Sequence, residues 1–184
     1  MITTRRLFLD IDGVLLLPTT PECTYRKKPT SARLLYDGLS RDKVELLAQA
    51  LEPFPDIQIV ISSAWREIMP WQMIGEVLNF VGLGVPVVGA TEKLYPQVPT
   101  SRVAYAPDGR PWGMVGRGLE ISKYLTSNDN CSEYTTSVCI IDDDADMGKL
   151  TKCLVHTNTY EGLAVRHTPR IRQMLDTPLL SFCA

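Results

Sequence analysis

Apolar residues recur along this chain in two rhythms, short unbroken runs and stripes spaced three and four apart. Leu7-Phe8-Leu9 leads into Asp10-Ile11-Asp12 and stops at Gly13, the pattern of a buried strand that ends at a turn. Ile57 to Ile61 is a second run of this kind and ends at Ser62-Ser63. Val85 to Val88 is a third. Ser137 to Ile141 is a fourth and enters the acidic run Asp142-Asp143-Asp144-Ala145-Asp146, and Cys153 to His156 is a fifth. Helical stripes lie between the runs. Ser40 is placed to cap a helix with Val44, Leu47, Ala48 and Leu51 on one face, and Pro53 and Pro55 stop it. Pro70 opens a second helix, with Trp71, Ile74, Leu78 and Val81 in line and Gly82 and Gly84 closing it. A third runs from about Gly116 to Leu125 and presents Leu119, Ile121 and Leu125, and Thr168-Pro169 opens a last one through Leu175.

Strands that alternate with helices predict an α/β protein, a doubly wound, three-layer, mostly parallel sheet. Two stretches break the alternation. Residues 14–39 hold Pro18, Pro21 and Pro29, residues 90–115 are rich in Pro, Gly and Tyr, and neither shows clear periodicity. They read as flap or loop excursions on one domain spanning 1–184, since 184 residues suit a single core. The 45% hydrophobic and 22% charged composition is that of an ordinary globular protein. A net charge of −2 provides no global attraction to nucleic acid or anionic membrane, although Arg26-Lys27-Lys28 is a local basic run. Five cysteines, an odd number without CxxC spacing, predict a reduced, cytoplasmic protein. Acids inside the early apolar run argue against a signal peptide, and no stretch approaches the ~18 apolar residues of a membrane span.

The polar residues at the strand ends carry the chemistry. In open parallel sheets, ligands bind beyond the carboxyl ends of the strands. Here the first strand ends in Asp10 and Asp12, the second in Ser62, and the fourth in Asp142 and Asp146. Two carboxylates ~5 Å apart repel by on the order of 3 kcal/mol at an effective dielectric of 20. A divalent cation removes that cost, and oxygen-only ligands select a hard ion such as Mg²⁺. A calcium loop fails on spacing. Counted from Asp10 its twelfth position is Pro21, and counted from Asp142 its sixth is Met147 and its twelfth Cys153. His156 and His167 have no partner at metal-ligand spacing, and Trp65, Trp71 and Trp112 read as core or loop anchors.

Leu7-Phe-Leu-Asp10-Ile-Asp12-Gly-Val14 resembles the first motif of the haloacid dehalogenase-like (HAD) phosphatase superfamily. Ile59-Val-Ile-Ser62 resembles its second, Arg117 or Lys123 its basic third, and Ile140-Ile-Asp142-Asp-Asp-Ala-Asp146-Met its acidic fourth. Leu154-Val-His-Thr157 and Gly162-Leu163 are similar to a small branch, the HAD domains of Swiss Army Knife RNA repair-like proteins. The resemblance implies a Rossmann-like sheet of order 3-2-1-4-5 and a Mg²⁺-dependent phosphomonoester hydrolase. By position, Asp10 would attack phosphorus, and Asp12 would act as acid and base while its carbonyl binds the metal. Ser62, or Ser63 in its place, would hold the phosphoryl group, and Arg117 or Lys123 would balance its charge. Asp142 and Asp146, with Asp143 as alternative, would complete the metal site.

Two rivals lie in other classes, and a small-molecule phosphotransferase would use the same residues. A phosphate-accepting signalling domain needs a Lys at the end of the fifth strand, where this chain has His156-Thr157. A binding module that had lost activity would not be expected to keep all of Asp10, Asp12, Ser62, Asp142 and Asp146. Neither excursion is long enough to fold alone, so no large cap domain is expected. The site would then admit a phosphorylated small molecule or a nucleic-acid end, and no membrane partner is expected.

Overall fold

In a computed structural model the described residues are 4–18, 32–94, 116–127 and 135–178. Five strands form one sheet: β1 (Thr4–Leu9), β2 (Ile57–Ile61), β3 (Val87–Ala90), β4 (Thr135–Asp142) and β5 (Leu154–His156). Every neighbouring pair is parallel, and the order is β3-β2-β1-β4-β5, as expected for a Rossmann-like HAD fold. β1 lies at the centre. Leu9 is in register with Ile61 on one side and Ile141 on the other.

Strand geometry sends alternate side chains to opposite faces, and both faces here are apolar. Leu7, Leu9, Ile59, Ile61, Cys139 and Ile141 belong to one buried cluster, and Phe8, Val60, Val138 and Ile140 to the other. The first face is covered by α2 (Arg41–Leu51), α3 (Trp71–Phe80) and α5 (Thr168–Asp176), through Val44, Leu47, Ile74, Leu78, Ile171 and Met174. The second is covered by α4 (Arg117–Thr126) through Ile121 and Leu125, and by a 3-10 turn, Gly148–Cys153, through Cys153 and the preceding Met147. Each such residue contributes roughly 1.5–3 kcal/mol when removed from water. The result is three layers with the strand ends held at one edge.

The elements depart from the sequence pattern in several places, and Leu119, expected on the apolar stripe of α4, is exposed. A seven-residue helix, α1 (Ala32–Gly38), forms inside the stretch 14–39, buries Leu35 and packs against α3. β3 begins two residues later than its apolar run. Proline has no N–H to donate, and Pro86 serves only as acceptor, from Ile59 N at 2.9 Å. The strand then continues through Gly89 and Ala90. Half of the first excursion, residues 19–31, and most of the second, residues 95–115, lie outside the described residues, with Arg26-Lys27-Lys28 and Trp112. No helix among the described residues is long and apolar enough to cross a membrane.

Candidate active site

The sheet's hydrogen bonds continue one step past the strands and align the residues that follow them. Asp10 N donates to Ile141 O (3.0 Å), Ser62 N to Leu9 O (2.9 Å) and Thr157 N to Asp142 O (3.0 Å). Asp10, Ser62 and Asp142 therefore sit side by side at one edge, all buried. Asp10, Asp142 and Asp143 offer carboxylate oxygens that all lie within 4.8 Å of one another. At that separation each charged pair repels by on the order of 3 kcal/mol at an effective dielectric of 20.

One arginine enters this cluster. Arg117 Nη2 lies 3.4 Å from Asp10 Oδ2, its Nε lies 3.6 Å from Asp142 Oδ2, and its Nη1 donates to Ser62 O. Burial lowers the Arg117 pKa, but Asp10 and Asp142 raise it more, so the net shift is upward and the group stays cationic. The glycines on either side explain how it reaches so far in. Gly118 N donates to Asp146 O at 3.0 Å, and a Cβ on Gly118 would lie 2.1 Å from the Met147 carbonyl oxygen. A Cβ on Gly116 would overlap the Asp146 carboxylate. The start of α4 is thus docked backbone to backbone on the acidic loop. Lys123, two turns further on, pairs with Glu92 on the exterior and is not part of this cluster.

Among the described residues, three carboxylates face one guanidinium, which leaves the cluster short of positive charge. Burial, and then the charge of Asp10, raise the Asp142 pKa to about 8 against the pull of Arg117. Asp143 is raised as well, first by burial, while a 2.6 Å hydrogen bond from Thr159 Oγ1 opposes the shift. Asp142 Oδ2 is buried without a hydrogen-bond partner, and so is Ser62 Oγ. An all-oxygen donor set, excess negative charge and a buried carboxylate oxygen that accepts no hydrogen bond fit a hard divalent cation. Asp146 stands apart. Asp144 N donates to Asp142 Oδ1 (2.8 Å) and Asp146 N to Asp144 Oδ1 (3.1 Å), successive turns that carry the chain outward. The Asp146 carboxylate ends exposed against Gly116, and the third acid of the cluster is its alternative, Asp143.

The family of HAD domains in Swiss Army Knife RNA repair proteins matches residues 6–168. The chain belongs to that family. No curated protein matches it. Membership in the HAD family supports a phosphatase-like function, and the acidic cluster of this HAD domain could bind a metal.

The rest of the HAD site is held by contacts that are not visible in the sequence. Ser63 Oγ accepts from Trp65 N and caps a 3-10 turn, Ala64–Glu67, while Ser62 Oγ makes no such bond. Asp12 is half-buried, and its Oδ1 accepts a 3.2 Å hydrogen bond from Trp65 Nε1. Arg66 and Glu120 form a buried ion pair between that turn and α4. Glu120 also accepts from Leu94 N (3.1 Å). Gly13 has φ +68°, and any Cβ there would collide with the Asp143 carboxylate. Its carbonyl accepts from Thr157 Oγ1 (2.9 Å), and Val14 O accepts from Leu163 N (2.9 Å). In sequence Arg66 and Glu120 look like ordinary surface charges. Asp12, Gly13 and Ser63 stand in the motifs, and Thr157 and Leu163 carry a weaker signal through their likeness to the RNA-repair branch.

Proposed function

We propose that this HAD domain hydrolyses phosphate monoesters with Mg²⁺, through a phosphoenzyme on Asp10. The observation that carries the reading is the acidic trio of buried Asp10 and Asp142 and half-buried Asp143 at the strand ends, with the Arg117 guanidinium against Asp10 and Asp142. Mg²⁺ would be held by these carboxylates, with the Asp12 backbone carbonyl as a further ligand. Bound there, it would neutralise the acids and the charge that develops on the phosphoryl oxygens.

In the first step a carboxylate oxygen of Asp10 forms a bond to phosphorus as the ester P–O bond breaks. Asp10 is oriented for this by the Ile11 N–H, which donates to its Oδ1 at 2.7 Å. Asp12 gives a proton to the departing oxygen. In the second step Asp12, now a carboxylate, takes a proton from water, whose oxygen attacks phosphorus and releases Asp10 and inorganic phosphate. Dividing the reaction this way replaces one difficult step by two easier ones, and acid–base assistance is worth typically ~10²–10⁴-fold. The Ser62 hydroxyl, without a protein partner, is free to donate to a phosphoryl oxygen. Arg117 compensates charge on Asp10 and the phosphoryl group.

The finer reading concerns substrate and setting. We take the protein to be a single domain over 1–184 with a flap-only, open site and a phosphorylated end of a nucleic acid as leading substrate. The family's occurrence in RNA repair proteins and the basic run Arg26-Lys27-Lys28 support this. Cys139 and Cys153 are buried and form no disulfide, which fits a cytoplasmic setting. The reading is tested by p-nitrophenyl phosphate turnover with Mg²⁺, with excess chelator, and in Asp10→Asn. Chelation should abolish turnover and Mg²⁺ restore it, and Asp10→Asn should lose both turnover and acid-stable bound phosphate. Full turnover in excess chelator would remove the mechanism.

A further inference from the structure

Trp65 is a large residue in the core, 1% exposed, and its ring packs within the cluster beneath the first face of the sheet. A buried indole N–H needs an acceptor. Of the acceptors near a strand end, this one reaches the Asp12 carboxylate, 53 residues away in sequence, at 3.2 Å. The backbone of Trp65 is fixed independently. Its N–H donates to Ser63 Oγ (3.4 Å), and its carbonyl accepts from Ile68 N (2.9 Å) and Met69 N (3.1 Å). The donor therefore stands on a rigid turn directly after Ser62. Asp12 follows β1 on a turn with isolated bridging from Asp12 to Leu16. A carboxylate on such a turn can rotate about its last torsion, and a hydrogen bond to Oδ1 from a donor anchored in the core fixes that rotation.

We infer that Trp65 is a positioning residue for proton transfer, orienting the Asp12 carboxylate so that its second oxygen faces the leaving group. The inference rests on the acid–base role proposed for Asp12. It also gives the turn that follows Ser62 a double task, since one short segment then sets both the phosphoryl-binding hydroxyl and the proton donor. Small misplacement of a catalytic group is costly, with about 1 Å able to lose 10²-fold.

The test compares Trp65→Phe, which keeps an aromatic ring but removes the N–H, with the wild type and with Asp12→Asn. The substrates are p-nitrophenyl phosphate, whose leaving group needs little proton donation, and glycerol 2-phosphate and an end-phosphorylated oligonucleotide, whose leaving groups need much. Trp65→Phe should lose about ten- to a hundredfold in kcat on the two alkyl esters. Its loss on the aryl ester should be at least several-fold smaller, and KM should change little. Equal losses on all three substrates, or no loss, would overturn the inference while a leaving-group-dependent Asp12→Asn left the acid role standing. If Asp12→Asn itself showed no such dependence, the acid role and the inference would fall together. A second measurement does not depend on the stability of Trp65→Phe. The indole N–H resonance of Trp65 in the otherwise intact protein, assigned with Trp71→Phe and Trp112→Phe, should move on Asp12→Ala. An unmoved resonance would overturn the inference.

Discussion

Gly118 lies in the first turn of α4, where alanine would ordinarily add about 1 kcal/mol of helix stability. The structure predicts the opposite sign. A Cβ at this position would meet the Met147 carbonyl oxygen at 2.1 Å, against 3.4–4 Å for ordinary contact, and a backbone atom cannot swing aside. The first turn of α4 must then withdraw by about 1 Å, and overpacking of this kind costs typically ~1–3 kcal/mol. Because Arg117 sits on the same turn, its 3.4 Å approach to Asp10 should lengthen by a similar amount. At an effective dielectric of 20 that weakens the attraction by on the order of 1 kcal/mol. If the transition state depends on it, turnover falls about five- to tenfold. Gly118→Ala should therefore melt lower by about 2–8 °C in circular dichroism and show the reduced kcat on p-nitrophenyl phosphate with Mg²⁺. Gly116→Ala is the control. The atoms nearest its Cβ would be those of the exposed Asp146 carboxylate, which can rotate away, so both losses should be smaller. A Gly118→Ala protein with raised melting temperature and full turnover would refute the close docking of α4 on the acidic loop.

Stability of the metal-free protein should fall as pH rises from about 4 toward 8. Asp142 keeps its proton to about 8 in the fold and only to 3.8 unfolded, so the unfolded chain binds fewer protons across that window. Asp142→Asn should flatten this slope in thermal melts, and an unchanged slope would contradict the raised value. For the same reason, Mg²⁺ should raise the melting temperature more at pH 8 than at pH 5, since binding must displace the proton. Charge reversal at Arg26, Lys27 and Lys28 should weaken turnover of an end-phosphorylated oligonucleotide more than that of p-nitrophenyl phosphate, most clearly at low salt. Equal effects would remove the steering role and leave the open site standing.

The parts of this molecule visible in its sequence are those that repeat or punctuate. β1, β2 and β4 are apolar runs that end on acids or serine, and that alone brought Asp10, Ser62 and Asp142 to one edge. α1 was missed because seven residues with only Leu35 buried cannot display a 3.6-residue period. The choice among Asp142, Asp143 and Asp146 could not be made from spacing. Two consecutive aspartate-to-backbone turns carry the chain from buried Asp142 to exposed Asp146, and spacing does not show them. The motif leaves the basic residue open between Arg117 and Lys123, and the glycines beside Arg117 are informative. Flanking glycines read as a weak helix start, yet they are what allows the backbone of α4 to touch the acidic loop. Trp65 gave no signal beyond being a large apolar residue, since its polar partner is fixed only by the tertiary structure.

The segment after β5 has a consequence for how far this chain can be cut. Every residue assigned to the chemistry lies before Gly148, so a minimal fragment designed from motifs alone would end near there. Such a fragment would lose Thr157, whose hydroxyl holds the Gly13 carbonyl, Leu163, whose amide holds Val14, and Thr159, which holds Asp143. It would also free Lys43, which donates to the Leu163 carbonyl at 2.8 Å and ties this segment to α2. The truncated piece would keep its nucleophile and acids and lose their bracing. The segment 157–163 is better treated as a detachable strut. Supplied in trans together with β5 and α5, it offers a split version of the protein in which reassembly of two fragments could be read out as recovered turnover.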